Sequence, residues 1–129
     1  MAGVNVGLTA GIEFEVTAED TAVFLLSGDL AVLGTPRLVA WLEAATCAAV
    51  GPALATEQTS VGTRVTIDHR AASAIGDSVL ATATLVDVDG LVLTFDVVAT
   101  DHATGTVLGK GAITRVVVDR ERFMTWLER

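Results

Sequence analysis

Glu43 is the residue whose type and setting most demand a chemical explanation. Between Pro36 and Gln58 the other charged residues are Arg37, at the start of an apolar segment, and Glu57, beyond its end. A carboxylate in the middle of an apolar helix loses hydration, which raises its affinity for protons and makes it a base. The competing reading is a glutamate on a narrow solvent stripe, but Ala40, Ala44, Cys47 and Ala48 would make that stripe oddly unpolar. His69 comes next. Strand alternation puts it on the face of Val61, Thr63, Val65 and Ile67, the face that should meet the helix, with Gly62, Arg64, Thr66, Asp68 and Arg70 on the other. Alone, a histidine on an apolar face is more often a satisfied core residue than a catalyst. Opposite a buried carboxylate it becomes a candidate acid/base partner. Asp68 reads as solvated surface.

Thr35 precedes Pro36 and reads first as a helix cap, satisfying free backbone N–H groups. The same position suits a catalytic role, because a helix N-terminus favours developing negative charge. Cys47 lies one turn after Glu43; a thiolate nucleophile beside His69 is conceivable, but a free cysteine of this kind is usually a small packing residue. His102 sits in a glycine-containing loop and should be exposed. Two distant histidines and one cysteine make no metal-ligand pattern, and neither a GxSxG elbow nor a phosphate-binding glycine loop is present.

The elements that must position these residues follow from periodicity. Residues 11–17 alternate apolar and polar, as a strand with one wet face does. A short helical turn is expected within residues 19–25. Gly34-Thr35-Pro36 starts a helix that should run to Val50 and stop at Gly51-Pro52. Its wheel is apolar nearly all round, so the rest of the protein should wrap it. Four strands follow, at residues 60–72, 78–88, 91–100 and 106–118, the middle pair joined by the hairpin signal Asp89-Gly90. A short helix at residues 120–127 closes the chain. One buried helix against an antiparallel sheet of about five strands is an α+β arrangement, and residues 1–129 make a single domain.

Composition narrows the partners. Hydrophobic residues make up 51% of the chain but aromatic ones only 5%, so the core is built of small side chains that let helix and sheet approach closely. A net charge of −8, with eight scattered Lys and Arg, argues against nucleic acid. The charge balance leaves room for an anionic small molecule, since a few local arginines or a helix N-terminus can hold one. Residues 38–55 are the most apolar stretch, yet they contain Glu43, Gly51 and Pro52 and read as a core helix, not a membrane span. With one cysteine and no secretory signal, the expected compartment is the cytoplasm.

Thr35-Pro-Arg-Leu-Val-Ala-Trp-Leu-Glu43, then Val61-Gly62-Thr63, His69 and the tail from Arg115 to Phe123, resemble the bacterial fluoroacetyl-CoA thioesterase group of the hotdog superfamily. The resemblance runs from about Ile12 to Phe123. It implies a hotdog fold, a long central helix wrapped by the sheet. It also implies a homodimer, or a dimer of dimers, with acyl-CoA sites at the subunit interface and coenzyme A entering as part of the substrate. Thr35, Glu43 and His69 match that family's catalytic triad in order and spacing, and Gly62 matches a glycine that contacts the thioester. The phenylalanine lid of the specialised enzyme is absent from residues 25–34, where Leu26 and Asp29 occupy the matching, substrate-facing positions.

The expected activity is therefore hydrolysis of a short-chain acyl-CoA or acyl-carrier thioester, with no separate cofactor. Two other activities would use similar parts: a dehydratase or hydratase acting on an acyl thioester, and a non-catalytic protein that sequesters a small acyl compound.

Overall fold

The structure, a computed structural model, describes residues 1–128. Strand β1 (Thr9–Glu15) leads through a single 3-10 turn at Ala18–Asp20 and a long loop to helix α1 (Thr35–Val50), prolonged by a 3-10 turn at Gly51–Ala53. Strands β2 (Gln58–His69), β3 (Ser78–Asp89), β4 (Val92–Asp101) and β5 (Val107–Asp119) follow, then helix α2 (Arg120–Glu128). All pairings are antiparallel, in the order β1-β3-β4-β5-β2. The hairpin turn after β3 uses Gly90 at φ +59°, a left-handed conformation that glycine adopts without penalty. The helical turn expected within residues 19–25 is shorter than the sequence predicts and begins one residue earlier.

Helix α1 buries Leu38, Trp41, Leu42, Ala45, Thr46, Ala49 and Val50. Beneath them the sheet presents Val79, Ala81, Ala83, Leu85, Leu93, Phe95, Val97, Ala99, Ile113 and Val117. Ala81 and Ala83 in β3 and Ala99 toward the end of β4 let the helix sit close. Larger side chains fill the flanks, where the Phe14 and Trp41 rings stack 4.6 Å apart. Each fully buried Leu or Phe contributes roughly 1.5–3 kcal/mol of hydrophobic stabilisation. The buried Thr46 hydroxyl is satisfied within the helix, donating to the Glu43 carbonyl at 2.6 Å.

Two surfaces stay open in the single chain. The expected all-round burial of α1 does not occur, since Ala40, Cys47 and Ala48 form an exposed stripe. Strand β2 is a sheet edge, paired on one side only, along twelve residues.

Candidate active site

Thr35 is the first residue of α1, and the N-cap is Gly34, which supplies no side-chain cap. The Thr35 hydroxyl is free for another partner because it does not cap the helix. It lies 2.8 Å from Nδ1 of His69, at the last position of β2. The other ring nitrogen, Nε2, is shielded within the fold and has no hydrogen-bond partner among the described residues. Desolvation lowers the His69 pKa below its ordinary 6.5, and the Ala71 backbone offsets part of this without completing a hydrogen bond to Nε2. A neutral imidazole with one nitrogen on a hydroxyl and the other unpartnered is equipped to accept or deliver a proton.

Thr35 and His69 line an open cleft of about 270 Å³, together with Arg70, Ala71, Ala72 and, from the loop before α1, Ala22, Ser27, Val32 and Leu33. That loop carries Leu26 and Asp29. Both point into solvent outside the lining, Leu26 with 92% of its surface exposed and φ at +60°. The loop does hold an aromatic residue: Phe24, 59% exposed, one position before residues 25–34.

Glu43 stands in a different setting. Its side chain is 36% exposed, so the burial expected from the apolar helix sequence does not occur in the single chain. A carboxylate oxygen accepts a hydrogen bond from the Arg115 guanidinium at 3.2 Å. Arg115 is buried and anchored by two further bonds, to the Ser60 hydroxyl at 2.8 Å and the Ser60 carbonyl at 3.0 Å. The carboxylate is thus held by an arginine that is itself fixed to the edge strand. Sequence reasoning missed Arg115; the available signal was a lone cation within an otherwise apolar strand, residues 111–118.

Gly62 lies directly against the same carboxylate, where a methyl group would overlap the carboxylate oxygen. Simple alternation assigns Gly62 and His69 to opposite faces of β2. A bulge between Gly62 and Arg64 inserts one residue and reverses the alternation, so both face α1.

The fold therefore brings the candidate residues together as two groups, Thr35 with His69 and Glu43 with Gly62 and Arg115. Glu43 stands eight positions after Thr35 along the helix, a rise of about 12 Å. Among the described residues no hydrogen bond or ion pair joins Glu43 to His69. Cys47 is exposed on α1, and His102 lies near the opposite sheet edge, 3.8 Å from Glu13.

This helix-on-sheet architecture is that of the hotdog thioesterases. The structure aligns with the fluoroacetyl-CoA thioesterase FlK at a TM-score of 0.90 and 29% identity, covering 98% of this chain and 96% of that one. A Thermus thermophilus thioesterase superfamily member, TTHA0967, aligns at 0.91 and 25% identity, covering 100% and 94%. A hot-dog-like protein from Thermanaerovibrio acidaminovorans shares the fold at 0.82 and 22% identity, covering 95% and 89%. No curated protein matches the sequence. Residues 16–121 match the family described as FlK, fluoroacetyl-CoA-specific thioesterase, and the chain belongs to that family. It is an acyl-CoA thioester hydrolase.

Proposed function

We propose that this protein hydrolyses short-chain acyl-CoA thioesters in the cytoplasm as a homodimer whose active sites are each built from two protomers. The observation that carries the reading is the division of the candidate residues into two groups too far apart for one thioester carbonyl to meet both. The groups lie toward opposite ends of β2, an unpaired edge. Antiparallel pairing of β2 with its copy about a two-fold axis between Gly62 and His69 would set His69 of one protomer beside Gly62 of the partner subunit. Thr35 and His69 would then face Glu43 of the partner subunit, and both open surfaces would be covered. A threonine mutant of FlK has been crystallised with acetyl-CoA and a phenylalanine mutant with fluoroacetate and CoA, which supports an acyl-CoA substrate.

In this site Glu43 supplies the carboxylate that either draws a proton from the attacking water or attacks the thioester carbonyl itself, expelling the thiolate and forming a transient anhydride that water then opens. Arg115 and Gly62 fix where it points. His69, neutral at rest, takes up a proton from the attacking water and passes it to the departing thiolate, or orients that water, and Thr35, with the free N–H groups at the start of α1, stabilises charge on the carbonyl oxygen. Thiol release from acetyl-, fluoroacetyl-, propionyl- and butyryl-CoA tests the reading. Turnover of several of these is expected; binding without thiol release from any of them would refute it.

A further inference from the structure

Arg70 is the one cationic side chain lining the cleft of Thr35 and His69. Its backbone is pinned at the end of the sheet, where the Leu108 carbonyl accepts from the N–H groups of both Arg70, at 2.7 Å, and Ala71, at 3.1 Å. Its guanidinium makes no hydrogen bond or ion pair among the described residues. Other arginines are engaged within the protein: Arg37 with Asp20, Arg115 with Glu43 and Ser60, Arg120 with the Gln58 carbonyl. The side chains of Arg64, Lys110 and Arg122 are free in the same sense, but none of them lines this cleft, and Lys110 lines a hollow on the outer face of the sheet with Thr82 and Asp96. In a chain carrying 16 carboxylates and a net charge of −8, an arginine left unneutralised beside a candidate catalytic pair is available to an anion from outside. The N-terminus of α1, uncapped by any side chain, adds positive potential to the same cleft.

We propose that Arg70 binds a negatively charged group carried by the thioester substrate. This rests on the thioesterase reading. Two parts of an acyl-CoA can present such a group, the phosphates of coenzyme A and a carboxylate at the far end of a dicarboxylic acyl chain. A guanidinium pairs with both through the same forked hydrogen bonds.

The experiment compares wild type with Arg70→Gln and Arg70→Lys on acetyl-CoA, acetyl-pantetheine and succinyl-CoA. Arg70→Gln should lower kcat/KM through KM by roughly 10- to 100-fold on the substrates that carry the recognised charge. Arg70→Lys should recover part of the loss, and added salt should shrink the difference. A loss on both CoA esters, spared with acetyl-pantetheine, identifies the phosphates; a loss confined to succinyl-CoA identifies the acyl carboxylate. Equal kcat/KM for wild type and Arg70→Gln on all three substrates, or an equal loss on all three, overturns the proposal. Should wild type turn over none of them, the thioesterase reading fails, and calorimetric binding of the same three compounds to wild type and Arg70→Gln decides the role of Arg70 by itself.

Discussion

The two ends of strand β2 are built on different principles. At the His69 end the ring is desolvated, its single hydrogen bond is to a neutral hydroxyl, and its pKa is pushed down. At the Gly62 end the carboxylate of Glu43 is open to solvent and tied to a buried arginine that makes three hydrogen bonds. One end holds an imidazole that burial favours in its neutral form; the other holds a carboxyl group fixed by an arginine. The fold places the two apart in one chain, with no hydrogen bond or ion pair between Glu43 and His69 among the described residues. In the proposed dimer, association would join the two halves into one site.

The sharpest way to break this comparison is to disable one half in each of two chains. Glu43→Gln and His69→Ala should each reduce kcat, Glu43→Gln by about 100- to 10,000-fold, the usual contribution of such a group. Neither should unfold the protein, because a glutamine oxygen still accepts from Arg115 and the His69 ring lies at the cleft with one hydrogen bond, to Thr35, outside the main core. Co-expressing the two variants under different tags should restore activity to about a quarter of wild type, since half the dimers carry one intact composite site of two. Activity no higher than that of the single variants would place the whole site within one chain.

Gly62→Ala should act next most strongly. The added methyl group displaces the Glu43 carboxylate by a fraction of an ångström to an ångström, which costs up to about 100-fold in kcat with a smaller change in KM. Wild-type kcat in that variant would show that the contact between Gly62 and Glu43 plays no part in turnover.

The His69 end can be tested by stability. Because burial lowers its folded pKa, the folded chain binds fewer protons there than the unfolded chain at mildly acidic pH. His69 thus contributes full stability above pH 6.5 and loses it as pH falls from 6.5 toward the lowered folded value. Urea unfolding at pH 7.5 and 5.5 should show wild type losing more stability than His69→Asn across that interval. Parallel losses would mean the ring is not desolvated.

The smallest effect is expected away from both ends. Leu26 is exposed in a left-handed conformation, so Leu26→Gly should raise stability by about 1 kcal/mol and leave the preference among acetyl-, fluoroacetyl- and propionyl-CoA nearly unchanged. A preference altered more than about tenfold would make Leu26 a selectivity residue despite its exposure.

The sequence by itself determined the local elements and the chemistry they carry. Pro36 and Gly51-Pro52 bounded α1, Asp89-Gly90 joined β3 to β4, and the rare polar groups Glu43 and His69 stood out because their helix and strand are otherwise apolar. Capping strength, turn geometry and alternation act over a few residues, so they can be read along the chain. The partners of each group were decided by tertiary structure alone. Thr35 caps nothing and meets His69, 34 residues away; Glu43 meets Arg115, 72 residues away. The bulge after Gly62 is the reason alternation misplaced that glycine: one inserted residue reverses every side chain beyond it, and its position is set by pairing with β5. The exposed stripe of α1 was hidden for a related reason. Alanine and cysteine are compatible with a core as well as with a surface, and only the packed sheet shows which side of the helix it leaves uncovered.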